Sequence, residues 1–235
     1  MLPNLCTLCG NLSHSTVCDA CDSTYWNEAR LRCVTCALPL TQHRHSQPNG
    51  FRCADCVAAP PPFDATLALA DYRAPLDTLA LGLKFRARLM LAHALARRLA
   101  QRIDDALDAA DPARRLEPFD VIAPVPLASR RLVARGYNQA WQIAKPLAAA
   151  LQVRGDATLL RRVIDTAPQS KLDLDARRQN VGRAFVVAKP VHGLHVGIVD
   201  DVMTTGATLE ALALALKAAG ARRVTNLVAL RTPKN

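Results

Sequence analysis

After residue 64 the chain alternates between short apolar runs and longer stretches in which apolar residues recur at helical spacing. The short runs predict strands over residues 66–72, 120–123, 157–163, 184–188, 196–199 and 224–230. The helical spacing predicts helices over residues 75–101, with an interruption near 82–86, and over 138–151, 172–181 and 209–220. Residues 104–118 are polar and are predicted as a loop, and Arg231 to Asn235 are predicted as a frayed basic tail. Strands and helices that alternate in this way, without an internal repeat, indicate a parallel α/β sheet.

Two adjacent carboxylates and a turn of small residues follow the apolar run at 196–199. The segment reads VGIVDDVMTTGATL over residues 196–209, with Asp200 and Asp201 directly after the run. Apolar residues at helical spacing resume at Leu209. Because ligands of open α/β sheets bind at the carboxyl ends of the strands, this turn is a candidate binding site.

The chemistry of the turn suits a sugar phosphate. Thr204, Thr205 and Thr208 supply hydroxyl groups, and Gly206 lets the backbone approach an anion closely. The start of the next helix adds unpaired N–H groups and the positive end of the helix dipole. The acidic pair does not suit a phosphate, but carboxylates accept hydrogen bonds from a vicinal diol. A ligand with ribose hydroxyls at one end and a 5′-phosphate at the other therefore matches both halves.

The same segment closely resembles the phosphoribosyl-pyrophosphate (PRPP) signature of the type I phosphoribosyltransferases: an apolar strand, an acidic pair and T-T-G-x-T. In that family the acidic pair binds the ribose 2′- and 3′-hydroxyls, and the loop binds the 5′-phosphate. The resemblance implies PRPP as the ligand of residues 200–208 and a parallel-sheet type I phosphoribosyltransferase fold. The nucleotide P-loop pattern G-x-x-x-x-G-K-[ST] does not occur in the chain. An ordinary strand–turn–helix with a polar turn is the alternative interpretation.

All eight cysteines lie before residue 57, as four C-x-x-C pairs. This is the spacing of zinc knuckles, in which a tight turn brings two sulfur atoms to one metal ion. Pairing neighbours in sequence gives two closed, structural Cys₄ sites: Cys6, Cys9, Cys18 and Cys21, and Cys33, Cys36, Cys53 and Cys56. An interleaved pairing stays open. A disulfide framework is a further alternative, less suited to the reducing cytoplasm.

The cysteine-rich residues 1–57 are predicted as a double zinc-ribbon module. A module this short cannot fold on its apolar residues alone, so we expect bound metal to supply its stability. Residues 58–63 form a stiff Pro-rich linker, and residues 64–235 form the phosphoribosyltransferase-like domain. The histidines of the module are interpreted as solvent-exposed loop residues, because the cysteines suffice as ligands: His14, His43 and His45.

The totals indicate a soluble protein with an anionic partner. Half of the 235 residues are hydrophobic, but no apolar run approaches the roughly 20 residues of a membrane span. The first residues, MLPNLCTLCG, lack the pattern of a signal peptide, so we expect a cytoplasmic protein. The formal net charge of +10 favours polyphosphate, nucleic acid or acidic protein as partner. If all eight cysteines are zinc-bound thiolates, −8 from sulfur and +4 from two zinc ions lower +10 to +6.

Two basic segments lie where predicted elements break. Lys84 and Arg86 fall at the interruption of the first helix, which makes them candidates for ligand contact. Prolines and arginines follow the strand at 120–123: Pro124, Val125 and Pro126, then Arg130, Arg131 and Arg135. Arginines and backbone N–H groups stabilise the negative charge that develops on a leaving pyrophosphate. A solvated basic helix start is the alternative for these arginines.

Taken together, the motifs resemble those of the competence protein F (ComF) family over nearly the whole chain. They are Y-x-x-P-L from residue 72, L-K-F at 83–85, P-V-P at 124–126, R-R-L and R-G-Y-N-Q-A within 130–140, and D-D-V-x-T-T-G-A-T at 200–208. The resemblance implies that residues 123–127 are the pyrophosphate loop and that residues 135–139 belong to the active-site rim. It also implies a lid at 166–171 that excludes water, with T-x-x-Q…R…N matched by Thr166, Gln169, Arg177 and Asn180. A plain helix face is the alternative for Arg177 and Arg178.

We therefore predict a PRPP-binding phosphoribosyltransferase that releases pyrophosphate and carries a structural zinc module. Catalysis is assigned to Asp200, Asp201 and Arg135. PRPP binding is assigned to Asp200, Asp201, Thr204, Thr205, Gly206, Ala207, Thr208, Pro124, Val125, Pro126, Lys84 and Arg131. No protein nucleophile is required, because displacement at C1 of the ribose needs positioning and charge stabilisation. The expected cofactors are Zn²⁺ in the cysteine groups and Mg²⁺ bound mainly through PRPP. The sequence does not specify the acceptor.

The second hypothesis is a non-catalytic protein that handles single-stranded DNA or senses PRPP. The ComF resemblance implies a link to DNA uptake in natural transformation, with single-stranded DNA or helicase-type competence proteins as partners. The positive charge is compatible with this, whereas an aromatic content of 4% weakens independent binding of a single strand. The oligomeric state is open, with a homodimer as one alternative.

Overall fold

The computed structural model describes residues 4–26, 31–40, 51–110, 115–163 and 184–234 of the chain. Its strands are β1 (Asn4–Leu5), β2 (Leu12–Ser13), β3 (Ala65–Asp71), β4 (Val121–Pro124), β5 (Arg154–Gly155), β6 (Leu160–Arg162), β7 (Phe185–Val187), β8 (His195–Met203) and β9 (Arg223–Arg231). Its helices are α1 (Asp19–Trp26), α2 (Ala54–Ala58), α3 (Asp77–Phe85), α4 (Met90–Leu107), α5 (Ser129–Arg135), α6 (Gln139–Ala150) and α7 (Ala207–Ala218). The loop, helix and lid predicted between residues 166 and 181 lie outside the described residues, as do His43 and His45.

Five strands form one parallel sheet in the order β3-β9-β8-β4-β5. At its centre, Val199 of β8 pairs with Leu227 of β9 on one side and with Pro124 of β4 on the other. Both β8 and β9 are buried over most of their length, which explains why their apolar residues run on without alternation. The predicted parallel α/β sheet is confirmed.

Helices cover both faces of this sheet. On one face, α3, α4 and α6 bury Leu83, Leu99 and Ile143 in one apolar cluster with Val199 of the sheet. On the other face, α7 buries Leu212 in a second cluster. Among the described residues, no helix combines the length and the apolar character needed to cross a membrane. The edge at which β8 leads into α7 therefore lies between two packed layers.

The cysteine-rich segment packs against both layers. Cys6, Val17 and Cys21 belong to the apolar cluster that contains α4. Ala37, in contrast, belongs to the cluster that contains α7. The expected N-terminal module is thus present as two parts that touch different faces of the sheet domain, while the linker boundary at residues 58–63 stays a prediction.

Two regions differ from the predicted elements. The runs at 157–163 and 184–188 do not join the main sheet, because β6 and β7 pair with each other, antiparallel, as a separate ribbon. Residues 104–107 are not a loop but the end of α4. Ile103 is fully buried there while Asp104 and Asp105 are exposed on the outer side, so this polar stretch is one face of an amphipathic helix.

The C-terminal residues also differ from the prediction. A frayed basic tail was expected from Arg231 onward, and this is wrong for Arg231 itself, which ends β9 and is only 4% exposed. Backbone carbonyl groups accept hydrogen bonds from its buried guanidinium. The arginine therefore belongs to the folded core and not to a solvent-exposed tail.

Candidate functional site

A cavity of about 350 Å³ opens at the carboxyl edge of the sheet, at the end of β8. Cavities of roughly 300–1,000 Å³ are typical of small-ligand sites. The end of β8 and the following turn form one wall, and the end of α3, the loop after β4 and helix α5 form the others. The wall therefore combines segments that lie more than a hundred residues apart in the chain.

The acidic pair forms the floor of the cavity. The backbone N–H of Asp201 donates to Oδ1 of Asp200 at 2.9 Å. Asp201 is 5% exposed, and its Oδ2 has no hydrogen-bond partner among the described residues. Burial, together with the neighbouring Asp201 carboxylate, raises the pKa of Asp200 well above its usual range, and Lys84 opposes this rise. The pair thus presents carboxylate oxygens that a ligand donor could satisfy.

The turn after β8 has the geometry of an anion site. Gly206 adopts φ +93°, and a Cβ atom there would meet Cε of Met203 at 2.7 Å, so the turn requires glycine. Helix α7 starts directly after it, and its N-cap residue, Gly206, has no side chain that could cap it. The N–H of Ala207 makes a long bond of 3.4 Å to Oγ1 of Thr205, and the N–H groups that follow it at the helix start face the same end of the site. Thr204 and Thr208 line the cavity. Hydroxyl groups, free backbone donors and a helix dipole therefore meet at one end of the site.

Basic side chains form the wall that faces the acidic pair. Lys84 comes from the end of α3, Arg131 and Arg135 come from α5, and Arg162 comes from β6. Phe85 lies among them, with the Lys84 ammonium 5.6 Å and the Arg135 guanidinium 5.9 Å from its ring centre. The cavity therefore has anionic and cationic sides, which suits a ligand that carries hydroxyl groups and several phosphate oxygens.

The junction between α5 and α6 holds the loop after β4 in place. Asn138 caps α6 by accepting hydrogen bonds from the N–H groups of Ala140 and Trp141, and its Nδ2 donates to the carbonyl of Val125 at 2.9 Å. Tyr137 donates its hydroxyl to the carbonyl of Leu83 in α3. The R-G-Y-N-Q-A motif thus connects the end of α3, the loop after β4 and the start of α6 by hydrogen bonds.

The structure brings most of the predicted site residues together. Asp200, Asp201, Thr204, Thr208, Val125, Pro126, Lys84, Arg131 and Arg135 all line the cavity. Four others are absent from the described wall: Pro124, which ends β4, and Thr205, Gly206 and Ala207, which follow β8 at the turn and the start of α7. The candidates Arg86 and Arg130 are likewise absent from the described wall.

Sequence reasoning assigned no role to several residues of the wall. Tyr72 and Phe85 stand in motifs that carried the family resemblance, and that was the only signal for them. Arg162 reaches the cavity from β6 and had no local signal, because the ribbon β6–β7 was expected to belong to the main sheet.

The cysteines form two groups that pair neighbours in sequence. Cys6, Cys9, Cys18 and Cys21 bring their Sγ atoms within 4.8 Å of one another, and so do Cys33, Cys36, Cys53 and Cys56. Tetrahedral Zn–S bonds of about 2.3 Å place sulfur atoms about 3.8 Å apart. The Sγ atoms of Cys9 and Cys18 are 3.7 Å apart, and those of Cys36 and Cys53 are 3.6 Å apart. Both groups fit zinc, and all eight cysteines are free thiols rather than disulfides.

The thiols of each group influence one another's ionisation. A hydrogen bond from Cys36 lowers the pKa of Cys33 to about 4, and the same contact, with burial, raises the pKa of Cys36. In the first group, burial opposes ionisation of Cys6, but N–H donors, Cys18 among them, outweigh it and lower the pKa to about 6. Burial and neighbouring thiols raise the pKa of Cys21 to about 12. A bound divalent cation would offset the charge of four thiolates, as in structural zinc sites.

Several bacterial proteins are similar to the chain over most or nearly all of its length. DNA utilization protein YhgH of Salmonella typhimurium is 38% identical over 226 residues, which cover 95% of each chain. The Escherichia coli K12 protein of the same name is 36% identical over 226 residues, with the same coverage. Competence protein F of Haemophilus influenzae is 31% identical over 175 residues, or 73% of this chain and 75% of that protein. The chain belongs to the competence protein F family. This confirms the resemblance found in its motifs, although no family model matches the chain.

Solved structures similar to this ComF-family chain are phosphoribosyltransferases and related enzymes. Hypoxanthine phosphoribosyltransferase of Trypanosoma cruzi is 16% identical, with a TM-score of 0.38, over 60% of this chain and 64% of that one. Glutamine PRPP amidotransferase of Bacillus subtilis is 19% identical, with a TM-score of 0.37, over 57% of this chain and 26% of that one. Both likenesses are distant.

Proposed function

We propose that this member of the ComF family binds PRPP at the carboxyl edge of its sheet and transfers the phosphoribosyl group to an acceptor, with release of pyrophosphate. One observation carries the proposal. An acidic pair, the uncapped start of α7 and a basic wall border the same cavity of about 350 Å³. A sugar diol, a phosphate monoester and a pyrophosphate are the chemical groups that these three surfaces accept.

The ribose would lie over Asp200 and Asp201. A buried carboxylate oxygen without a partner is costly, and Oδ2 of Asp201 is such an atom among the described residues. Both aspartates line the cavity, and carboxylate oxygens accept hydrogen bonds from ribose hydroxyls, so binding of a diol is favoured over binding of an anion at this position.

The 5′-phosphate would lie in the turn from Thr204 to Thr208. Both threonines line the cavity, and the N-cap residue Gly206 has no side chain that would compete with a ligand. The bond of 3.4 Å from the N–H of Ala207 to Oγ1 of Thr205 is long, so a phosphate oxygen can replace it. The dipole of this helix adds a partial positive charge at its start. The turn therefore holds a doubly charged phosphate without a lysine of the P-loop type.

The pyrophosphate would lie against the loop after β4 and the side chains of Lys84, Arg131 and Arg135. In the transfer, the bond from C1 of the ribose to pyrophosphate oxygen breaks and a bond from C1 to the acceptor forms. Negative charge grows on the leaving pyrophosphate, and the basic wall stabilises it. Mg²⁺ bound with PRPP would neutralise part of this charge, and the oxygen atoms of Asp200 and Asp201 are the donor type it prefers.

Calorimetry with PRPP and Mg²⁺ tests the binding step. Wild type is expected to bind, and Asp201→Asn is expected to weaken binding at least tenfold, because the amide replaces one carboxylate acceptor by a donor. Asp104→Asn, on the exposed side of α4, is the matched control and should bind as wild type does. Wild type that does not bind PRPP would disprove the proposal.

Turnover is tested separately. The protein is incubated with PRPP, Mg²⁺ and a panel of nucleobases, and ribosylated products are sought by mass spectrometry together with released pyrophosphate. A product that requires Arg135 supports transfer. PRPP binding without any product favours a PRPP-sensing protein instead.

The second candidate function is the handling of single-stranded DNA, which the name of the YhgH relatives favours. The net charge of +6 to +10 is compatible with it. Fluorescence polarisation with a labelled oligonucleotide discriminates the two. Affinity that falls steeply with salt and ignores PRPP supports DNA handling, and no affinity at low salt excludes it.

We place the protein in the cytoplasm. The free thiols of both cysteine groups support this location, because a reducing compartment keeps cysteines available for zinc. Fractionation of cells, with the protein found in the membrane or outside the cytoplasm, would contradict it.

A further inference from the structure

Arg231 lies buried behind the anion-binding turn, which is defined here as residues 203–208. It ends β9, is 4% exposed and donates through Nη1 to the carbonyl of Met203 at 3.0 Å and to the carbonyl of Thr204. Its Nε donates to the carbonyl of Cys36 at 2.9 Å. One planar guanidinium thus connects the turn to a cysteine of the second group.

These contacts control the direction of the backbone in the turn. A peptide unit is planar, so a carbonyl group and the N–H of the next residue point in fixed, opposite directions. By holding the carbonyl of Thr204, Arg231 also fixes the orientation of the N–H group of Thr205. It shares the carbonyl of Met203 with the backbone N–H of Thr232, which donates to it at 2.9 Å. An anion site built from backbone donors depends on this orientation.

The second cysteine group also supports the turn by apolar packing. Ala37 directly follows Cys36 and lies in the same buried cluster as Met203 and Leu209. Met203 precedes Gly206 in the chain, and Leu209 follows it. Arg32 stabilises the turn at residues 33–37 by donating to the carbonyl of Ala37 at 3.0 Å. The second cysteine group therefore shares a buried cluster with the anion-binding turn through Ala37 and is joined to it through the guanidinium of Arg231.

The first cysteine group has different neighbours. Cys6 and Cys21 lie in the apolar cluster of α4, and Asp22 forms an ion pair with Arg98 of that helix. The two groups therefore stabilise different parts of the fold, although both fit zinc equally well.

We propose that Arg231 is a positioning residue that couples the second cysteine group to the anion-binding turn. Loss of metal from Cys33, Cys36, Cys53 and Cys56 then loosens the turn, whereas loss from the first group does not. The effect on PRPP rests on the proposed function. The effect on the turn itself does not.

Hydrogen–deuterium exchange tests the coupling with a matched pair of variants. Cys18→Ser and Cys53→Ser each alter one half-buried cysteine, one in each group, and each is expected to lower the zinc content from two ions to one. Exchange of the turn is read at the amides of Glu210 and Thr232, which donate to its carbonyls at Gly206 and Met203, both at 2.9 Å. Cys53→Ser should speed the exchange of these two amides at least tenfold, and Cys18→Ser should leave it within twofold of wild type. Equal exchange of the turn in the two variants would overturn the proposal.

Arg231→Gln and Arg231→Lys test the same coupling with both metal groups intact. The glutamine variant should speed exchange of the turn at least tenfold while β4 and α6 keep their protection, and lysine should rescue part of the loss. Arg222→Gln, which alters a half-exposed arginine paired with Glu117, is the control. If Cys53→Ser unfolds the domain, the Arg231 variants alone test the coupling. Equal exchange rates of the turn in Arg231→Gln and Arg222→Gln would then refute it.

PRPP titrations of the same variants separate this inference from the proposed function. Cys53→Ser and Arg231→Gln should each weaken binding at least tenfold, and their effects should not add, because both act through one contact. If wild type does not bind PRPP, the proposed function fails while the exchange result still decides the coupling. Tight PRPP binding by Arg231→Gln would contradict the coupling and leave the PRPP site in place.

Discussion

At the scale of single residues, Gly206 has little freedom to change. Its φ of +93° disfavours any residue with a side chain, and Met203 occupies the space that a Cβ would need. Gly206→Ala should lower the free energy of unfolding by roughly 1–2 kcal/mol through backbone strain. It should also weaken PRPP binding, because the turn must move. Urea denaturation and calorimetry measure the two effects.

Gly193→Ala is the control for this prediction. Gly193 has φ +75°, but nothing lies within 4 Å of the position of its Cβ, and it is not part of the cavity wall. It should lose stability through strain alone and bind PRPP as wild type does. If Gly206→Ala also binds PRPP normally, the turn does not form the phosphate site.

The ionised carboxyl group of Asp200 is expected to lower the free energy of unfolding, although the same group serves ligand binding. Its pKa is raised by burial and by Asp201, so the folded protein binds the proton more tightly than the unfolded chain, whose aspartate pKa is about 3.9. The unfolding free energy therefore decreases as pH rises through the raised pKa. Asp200→Asn removes this penalty and should raise the melting temperature at pH 7.5 by about 2 °C or more without ligand.

The pH dependence checks the cause. At about pH 4 the wild-type carboxyl group is protonated in the folded state and about half protonated in the unfolded chain, so most of the advantage of Asp200→Asn should disappear there. An equal difference in melting temperature at pH 4 and pH 7.5 would show that ionisation of Asp200 is not responsible.

The residues of the site were predictable from sequence to different degrees. Asp200, Asp201 and the threonines form one contiguous motif, so their chemistry is legible without a structure. Arg231 was misassigned, because a basic residue four positions from the C-terminus looks like a solvated end. Its role depends on carbonyl groups of Cys36 and Met203, which only the fold brings close.

At the scale of elements, the capped start of α6 links stability to the site. Asn138 accepts two backbone N–H groups of the helix and donates to the carbonyl of Val125. Asn138→Ala should lose both functions, with a stability cost of about 1 kcal/mol for the cap. Asn138→Asp should keep the cap but lose the donor, which leaves Val125 without this bond.

The two variants separate the cap from the loop. Asn138→Asp should keep the stability of the cap but lose some stability through repulsion between its carboxylate and the carbonyl of Val125. It should also weaken PRPP binding several-fold, because the loop after β4 loses an anchor. PRPP affinity equal to wild type in Asn138→Asp would mean that the bond to Val125 does not position the loop.

Prediction from sequence succeeded for the central strands and failed for two other elements. The central strands were predicted because β8 and β9 are buried apolar runs. The ribbon β6–β7 was misread as part of the main sheet, since three-residue strands carry no signal of their partner or direction. The end of α4 was misread because aspartates on an exposed helix face resemble those of a loop.

At the scale of the whole molecule, acid should destabilise the fold through His195, on the amino-terminal edge of the sheet. The ring is fully buried between the carbonyl of Pro118 and the hydroxyl of Thr225. Burial lowers its pKa below the usual value of about 6.5, so the folded state keeps it neutral. The unfolded chain binds the extra proton, and stability therefore falls as pH decreases below about 6.5.

Urea denaturation between pH 7.5 and pH 5 measures this effect. A single proton can account for at most about 1.4 kcal/mol per pH unit. His195→Gln removes the titrating ring, so its stability should change less over this range than that of wild type. His93→Gln, on the exposed side of α4, is the control and should follow wild type. Because Asp200 acts in the opposite direction, the His195 contribution is cleanest in the Asp200→Asn background, and an unchanged slope there in His195→Gln would assign the acid sensitivity to another group.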